Sequence, residues 1–196
     1  MILYLHGFRS SPQSFKARVM GQRMAALGLQ DHYVCPQLPA SPAGAIALAG
    51  ALVAGVDPAR LTVVGSSLGG YYATWLAEHT GCRAVLVNPP VKPPRDLESY
   101  VGVSTQYHSD EPFEFKREYI AELLALAVPA ITRPHRYFLL AATGDEVLDW
   151  REMVAHYPGA RQTVIEGSDH GMAEFADHLD EVLAFCGVDV SGKAVR

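Results

Sequence analysis

The sequence predicts an α/β fold built on a mainly parallel sheet of about six strands, with helices on its faces. Short apolar runs alternate with longer helix-compatible stretches along the chain, which is the pattern of a parallel sheet with crossover helices. Gly28 and Gly81 each lie just past a helical stretch, where a left-handed residue commonly ends a helix. A chain of 196 residues can bury a full core, and we expect a single domain over residues 1–196.

The predicted strands are apolar runs rich in branched or aromatic residues: Ile2–Leu5, Tyr33–Cys35, Leu61–Val64, Ala84–Val87, Tyr137–Ala142 and Gln162–Ile165. The predicted helices cover approximately Ser14–Leu27, Pro42–Gly55, Leu68–His79, Glu114–Ala127, Leu148–Ala155 and Met172–Phe185. A proline-rich segment at about residues 90–135 is too long for an ordinary connection between two strands. We expect it to form a small cap-like insertion over the carboxyl ends of the strands, where ligands bind in open α/β sheets.

Charge and hydropathy exclude two classes of partner. The chain carries 16 basic and 21 acidic residues, a net charge of −5, and no basic run, so we expect no nucleic-acid partner. Apolar stretches such as Ala45–Val56 are too short and too rich in glycine to span a bilayer. The chain begins directly with a predicted strand rather than with a signal peptide. We therefore expect a cytoplasmic protein without a membrane partner.

The cysteines and histidines predict neither a disulfide framework nor a metal site. Cys35, Cys82 and Cys186 are odd in number and widely spaced, which favours a role as small buried apolar residues. No pair of histidines has the spacing of metal ligands, and no glycine-rich loop carries the lysine of a phosphate-binding loop. The sequence therefore predicts no metal and no cofactor.

The most informative segment is a G-x-S-x-G pattern, Gly65-Ser66-Ser67-Leu68-Gly69. A β-branched run precedes it and a helix-compatible stretch follows it, which predicts a sharp strand–turn–helix connection with a serine at its apex. Side chains at positions 65 and 69 would collide with the neighbouring strand and helix, so both positions require glycine. The pattern predicts that Ser67 is a nucleophile, although an ordinary glycine-rich turn would explain the five residues alone.

A serine hydroxyl is a weak nucleophile near neutral pH and requires a base within hydrogen-bonding distance. The histidines that follow Ser67 and its helix are His108, His135, His156, His170 and His178. His170 lies in a loop after the predicted strand Gln162–Ile165, at the same sheet edge as the serine. His135 precedes a strand and belongs to the opposite edge, and His156 and His178 fall within helices. The sequence therefore predicts His170 as the base.

An acid is required to orient the histidine, and in this class of site it follows an earlier strand. Asp145 leaves the predicted strand Tyr137–Ala142 after a single glycine turn, which suits a carboxylate that points back over the sheet edge. Asp149 is the alternative, although its position also suits the N-terminus of the following helix. We favour Asp145.

Two backbone donors are needed to stabilise an oxyanion. The N–H of Leu68, directly after the serine, is one candidate, and the N–H of Phe8 in the loop after the first strand is the other. The adjacent pair His6-Gly7 allows a close approach of that loop. For His6 itself we expect a structural role, in which the ring binds the loop backbone.

Several segments together resemble the YqiA/YcfP-type esterases over nearly the whole chain. They are Leu3–Phe8, Ser10–Pro12, Pro36–Pro39, Gly65–Leu76, Asn88–Pro89, Thr143–Asp149 and Arg161–Gly167. The resemblance implies a compact α/β-hydrolase fold with Ser67, Asp145 and His170 as a catalytic triad. It also implies hydrolysis of short acyl esters or thioesters. The resemblance is weakest over approximately residues 92–136, the expected cap that would shape the acyl pocket.

Alternatives to a short-chain esterase remain open at the level of sequence. A non-catalytic binding or regulatory protein can be built on the same scaffold, and an acyltransferase or peptidase can use the same three residues. Arg9 and Lys92 are candidates to meet an anionic leaving group, although solvated surface charge explains both. The aromatic candidates for an acyl site, which core packing would equally explain, are Phe8, Tyr71, Tyr72, Tyr107, Phe113 and Phe115.

Overall fold

The computed structural model describes residues 1–107 and 112–191. Its strands are β1 (Ile2–Leu5), β2 (Tyr33–Val34), β3 (Thr62–Ser66), β4 (Arg83–Val87), β5 (Gly102–Thr105), β6 (Pro112–Phe115), β7 (Tyr137–Ala142) and β8 (Arg161–Ile165). Its α-helices are α1 (Phe15–Ala26), α2 (Pro42–Val53), α3 (Leu68–Thr80), α4 (Pro93–Leu97), α5 (Glu118–Ala125), α6 (Trp150–His156) and α7 (Leu179–Phe185).

Six of the strands form one parallel sheet in the order β2-β1-β3-β4-β7-β8. All six predicted strands are present, two with the predicted bounds and four with ends that differ by one or two residues. The register pairs Leu5 with Gly65 and Ser66 with Val87, so the carboxyl ends of β1, β3 and β4 lie at one edge. β7 and β8 end at the same edge, where Ala142 pairs with Ile165. This edge is where the loops after the strands can meet.

Both faces of the sheet are covered by helices, which explains why the strands are apolar throughout rather than alternating. α1 and α7 pack on one face, where Met20 and Leu183 are fully buried against strand residues such as Phe138. α2, α3 and α6 pack on the other face, where Leu76 and Met153 are buried. The fold therefore has a helix–sheet–helix core with the strand ends left open at one edge.

The segment between β4 and β7 forms a separate layer and corrects one helix boundary. The sequence predicts a helix over Glu114–Ala127, but residues 112–115 form β6, which pairs antiparallel with β5, and α5 begins at Glu118. Phe115 is fully buried and Glu114 is exposed, so this stretch alternates with the period of a strand. Phe115 therefore packs into the core from a strand rather than from a helix.

Local chemistry sets the other helix ends. Gly28 and Gly81 have φ values of 71° and 83°, as predicted, and Gly81 ends α3 with its N–H donated to the Ala77 carbonyl. The predicted helix Met172–Phe185 is wrong in its first half, because Ala173–His178 forms a 3-10 turn and the α-helix begins at Leu179. Met172 precedes that turn with a left-handed φ of 51°, which interrupts any regular start.

None of the helices within the described ranges is long and apolar enough to cross a membrane.

The three cysteines are free; Cys82 is buried and Cys35 and Cys186 are half-buried. Burial raises the pKa of the Cys35 and Cys186 thiols to about 12, because the thiolate is disfavoured away from water. Within the same ranges, no group of three or more His, Cys, Asp or Glu side chains is arranged to hold a metal ion.

Candidate active site

Ser67 lies at the apex of the turn between β3 and α3. Its φ of 51° and ψ of −126° place a non-glycine residue in a region of backbone conformation that L-residues rarely adopt. Its N–H donates to the Val87 carbonyl at 2.9 Å, and its own carbonyl accepts from the Gly70 N–H at 2.7 Å. These bonds hold the strained turn and present the hydroxyl above the sheet edge.

The turn can be this tight because Gly65 and Gly69 lack side chains. A Cβ on Gly65 would overlap the Gly69 carbonyl group and lie 2.6 Å from the Gly70 Cα atom. A Cβ on Gly69 would overlap the Leu5 carbonyl group in β1. Both collisions involve backbone atoms, which cannot rotate away, so the predicted need for two glycines is confirmed.

A continuous chain of hydrogen bonds joins Ser67, His170 and Asp145. The Ser67 Oγ lies 3.0 Å from the Nε2 atom of His170, and the His170 Nδ1 lies 2.7 Å from the Oδ2 atom of Asp145. The Asp145 side chain is fully buried, whereas 20% of the His170 side chain is exposed. Because an ionised carboxylate only accepts, Nδ1 carries the proton and Nε2 is free to accept from the serine hydroxyl.

The structure brings Asp145, and not Asp149, to the histidine. The second carboxylate oxygen of Asp145 accepts from the backbone N–H groups of Val147 and Leu148 at 2.9 and 2.8 Å. Asp149 is the N-cap of α6, where its Oδ1 accepts from the Arg151 N–H at 2.9 Å, and its side chain is 53% exposed. The two carboxylates therefore have separate structural roles.

The three other candidate histidines that the structure describes lie away from this chain of bonds. His156 ends α6, and His178 precedes α7 with its Nδ1 atom 3.8 Å from Glu181. His135 lies in the 3-10 turn that precedes β7, at the opposite end of that strand from Asp145. His108 lies outside the described residues.

The loop after β1 lies directly against the serine. A Cβ on Gly7 would be 3.1 Å from the Ser67 Cβ, so only glycine permits this approach without a shift. Phe8 follows in the same loop, and Leu68 is the first residue of α3, whose N–H has no acceptor within the helix. The backbone of both candidate donors therefore lies beside the serine.

His6 holds this loop in place, as expected for a structural role. Its ring is buried, and its Nε2 accepts from the Leu38 N–H at 3.0 Å. Nδ1 therefore carries the proton, and it lies 3.0 Å from the Gly7 carbonyl oxygen. The neutral ring links the loop after β1 to the segment that follows β2.

A cavity of about 690 Å³ opens beside the Ser67 hydroxyl, within the usual size range of small-molecule sites. Its walls come from the loop after β1, the start of α1, the insertion and the loops after β7 and β8. The lining residues are Gly7, Phe8, Ser10, Ser14, Phe15, Lys16, Ser66, Ser67, Leu68, Pro90, Asp96, Leu97, Ser99, Tyr100, Tyr107, Glu146, Val147, Leu148, His170 and Gly171.

Of the six aromatic candidates for the acyl site, only Phe8 and Tyr107 line this cavity. Tyr71, Tyr72 and Phe115 are buried in the core, and Phe113 packs edge-on to Phe8 at 5.2 Å between ring centroids. The insertion supplies to the cavity wall the residues Pro90, Asp96, Leu97, Ser99, Tyr100 and Tyr107.

Asn88 is a residue at this site that the sequence reasoning missed as a functional candidate. It directly follows β4, is 1% exposed and has a left-handed φ of 45°. Its Oδ1 accepts from the Ala142 N–H at 2.9 Å, and its amide nitrogen donates to the carbonyls of Asp169 and His170 at 3.3 and 3.1 Å. One side chain thus ties the ends of β4 and β7 to the loop that carries His170. The signal available in the sequence was a polar residue directly after an apolar strand.

We expect Asn88→Gly to slow reaction of Ser67 with a fluorophosphonate about ten- to a hundredfold, because the loop that carries His170 loses its support. Glycine adopts a φ of 45° freely, so this variant removes the side-chain bonds without new backbone strain. Asn88→Asp should be slowed as well, since it places a carboxylate oxygen against two carbonyls. Thermal unfolding is followed in parallel, and a folded Asn88→Gly protein that reacts at the wild-type rate would contradict this role.

The parallel sheet, the serine at the β3–α3 turn and the loops gathered at one edge define an α/β-hydrolase fold. The model of the Uncharacterised protein family (UPF0227) matches residues 1–187. The chain belongs to this family, which is the YqiA/YcfP family.

Solved structures with this fold superpose over most of the chain. A protein from Agrobacterium vitis S4 is similar with a TM-score of 0.74 and 21% identity, over 94% of this chain and 87% of that chain. A structure of the metagenome-derived lipolytic enzymes LipS and LipT has a TM-score of 0.70 and 16% identity, over 95% and 92%. The esterase domain of a Rhodothermus marinus protein has a TM-score of 0.66 and 19% identity, over 93% and 83%.

Proposed function

We propose that this protein is a serine hydrolase that cleaves short-chain carboxylic esters or thioesters through an acyl-enzyme intermediate. The observation that carries the proposal is the chain of hydrogen bonds from Ser67 through His170 to Asp145, at the wall of a cavity. The likeness to structures described as an esterase domain and as lipolytic enzymes supports the same class of reaction.

In the first half of the reaction, the Ser67 Oγ attacks the carbonyl carbon of the substrate while His170 Nε2 takes the hydroxyl proton. Asp145 holds the ring in the required tautomer and stabilises the imidazolium that forms, without itself taking the proton. The 2.7 Å bond between His170 Nδ1 and Asp145 suits this role, because it is short and charge-assisted when the ring is protonated.

The tetrahedral intermediate carries a negative oxygen, which we assign to the backbone N–H groups of Phe8 and Leu68. Its collapse breaks the bond to the alcohol or thiol, which leaves with the proton held on His170 Nε2. Water then attacks the acyl-enzyme with His170 again as base, and release of the acid restores the Ser67 hydroxyl. No cofactor is needed for any of these steps.

The short acyl preference in this proposal is supported by the aromatic cluster behind the oxyanion loop. The Phe8 ring lies edge-on to Phe113, Phe115 and Tyr100, with centroid distances of 5.2, 5.1 and 5.6 Å. This packing holds the Phe8 ring in the cavity wall. An acyl chain of a few carbons would fit beside Ser67 without moving these rings, whereas a long chain would extend along the cavity towards its mouth.

The proposal is tested by labelling with a fluorophosphonate, which needs no assumption about the substrate. Mass spectrometry should locate the adduct on Ser67, and Ser67→Ala should remain unlabelled. Hydrolysis of 4-nitrophenyl esters from acetate to palmitate should then be fastest for acyl groups of a few carbons. Rates that rise steadily towards palmitate would overturn the chain-length preference alone.

A folded protein that remains unlabelled and hydrolyses no ester would overturn the hydrolase proposal and favour a binding protein built on this scaffold. Amide substrates and alternative acyl acceptors distinguish a peptidase or an acyltransferase from the proposed hydrolase, since all three would be labelled at the same serine.

A further inference from the structure

Lys16 places a positive charge in the wall of the candidate active site. It lies in the first turn of α1, is half-buried and lines the same cavity as Ser67 and His170. Among the described residues that line the cavity, it is the one lysine or arginine. Arg9 and Lys92, the cations that the sequence suggested for this purpose, bind Thr105 and Glu152 instead and do not line the cavity.

The ammonium group of Lys16 has a single hydrogen-bond partner within residues 1–107 and 112–191. It donates to the Gly171 carbonyl oxygen, and no carboxylate of those residues lies within 4.0 Å of it. Two of its three N–H donors are therefore left for another group. A charge withdrawn from water is costly unless it is paired, so this cation is suited to an anion that the protein itself does not supply.

Burial lowers the pKa of Lys16 to about 8, because desolvation disfavours the ammonium form, while the negative charges of Asp169 and Asp145 partly oppose this change. The ammonium form still predominates at pH 7. The group is thus charged, incompletely solvated and without a bonded counter-ion among the residues that the structure describes.

Two further features of the same wall favour an anion. Ser14, the residue before α1, also lines the cavity, and its Oγ is buried without a hydrogen-bond partner within the described residues. α1 is twelve residues long, so its N-terminus adds a partial positive charge beside Lys16 and Ser14. Among the described residues, a hydroxyl without a hydrogen-bond partner and an ammonium without a bonded carboxylate thus both lie at the N-terminus of one helix.

The acidic residues of the cavity have cationic or N–H partners of their own. Asp96 is paired with Arg95 at 2.7 Å, and Glu146 accepts from the His170 N–H at 3.1 Å. The His170 N–H also lowers the pKa of the Glu146 carboxyl by stabilising its charged form. These contacts offset part of the negative charge that an anionic substrate would meet, although the Oδ2 atom of Asp96 has no hydrogen-bond partner within the described residues.

We propose that Lys16 and Ser14, at the N-terminus of α1, form a subsite for an anionic group carried by the substrate beside its scissile carbonyl. A carboxylate or a phosphate fits these donors equally, on the acyl part or on the leaving group. The subsite rests on the proposed hydrolase function and narrows its substrate class to charged esters or thioesters.

The test compares pairs of esters that have the same shape and differ in charge. The acyl pair is mono-4-nitrophenyl glutarate and 4-nitrophenyl 5-methylhexanoate; the leaving-group pair is 4-carboxyphenyl butyrate and 4-carbamoylphenyl butyrate. For each protein the measured quantity is the ratio of kcat/KM for the anionic ester to that for its neutral partner. The loss of the Gly171 bond in a Lys16 variant affects both esters of a pair, so the ratio isolates the charge.

We expect Lys16→Met to lower this ratio at least about tenfold for one of the two pairs, which also shows which part of the substrate carries the anion. Arg18→Met is the matched control, because Arg18 is an exposed cation two residues further along α1 that does not line the cavity. Its ratio should remain close to that of the wild type.

Unchanged ratios in Lys16→Met for both pairs, or an equal fall in Arg18→Met, would overturn the subsite while leaving the hydrolase proposal intact. A protein that neither reacts with a fluorophosphonate nor hydrolyses any of the four esters would overturn both proposals. The two failures are thus distinguishable.

Discussion

Asp145→Asn is expected to lower kcat/KM for ester hydrolysis by about ten-thousandfold, because it forces the wrong tautomer on His170. The Val147 and Leu148 N–H groups hold one side-chain oxygen of Asp145. In the variant only the amide oxygen can take that place, so the amide NH2 must face His170 Nδ1. Nδ1 then has to accept, Nε2 carries the proton, and the ring can no longer accept from the Ser67 hydroxyl.

The measurement is steady-state hydrolysis of 4-nitrophenyl butyrate, together with the rate of fluorophosphonate labelling. Asp149→Asn is the matched control, since the same chemical change occurs at the N-cap of α6. Asparagine caps a helix as well as aspartate does, so activity and thermal stability should stay close to the wild type. The reverse pattern, with activity lost only in Asp149→Asn, would contradict the assignment of the acid.

Gly69→Ala is expected to destabilise the protein by more than about 3 kcal/mol, a large fraction of the stability of a typical domain. The added Cβ would overlap the Leu5 carbonyl group and lie 2.8 Å from the His6 carbonyl oxygen. α3 would have to move away from β1, and this movement would also separate Ser67 from the loop that carries Phe8. We expect a fall in the midpoint of thermal unfolding or a failure to fold.

Gly50→Ala is the control for this substitution. Gly50 lies inside α2, and a Cβ there has no neighbouring atom within 4 Å. Alanine is favoured over glycine within a helix, so the variant should be more stable by about 0.5–1 kcal/mol. If both variants unfolded like the wild type, the close contact between Gly69 and β1 would be refuted.

The strands and most helices were predictable because local pattern and tertiary fold agree. β1 and β7 have the predicted bounds. Both strands are buried on both faces of the parallel sheet, and such strands are continuous apolar runs whose ends are visible in the sequence. The insertion was predictable only as a small cap with a helical stretch in its middle. The hairpin of β5 and β6 depends in part on the Phe8 ring that Phe115 contacts, and this contact is not local in sequence.

The candidate site likewise has features that local sequence predicts and features that depend on distant contacts. Residues 65–69 were sufficient to predict the serine turn, because side chains at positions 65 and 69 of any such turn would collide with backbone atoms. The choice of Asp145 over Asp149 was only a preference in the sequence. Only the tertiary structure places Asp145 rather than Asp149 beside His170, through the N–H groups of Val147 and Leu148 and the position of the loop that carries His170.

The sequence by itself determined the fold class, the family resemblance, the candidate nucleophile and the order of the residues that follow it, because each of these depends on short segments with strict local requirements. Only the tertiary structure decided the contacts of Asn88 and Lys16. Asn88 binds backbone groups 54 to 82 residues away, and Lys16 meets Gly171 155 residues along the chain. Such partners are brought together by the packing of the sheet and its helices, and no local pattern specifies them.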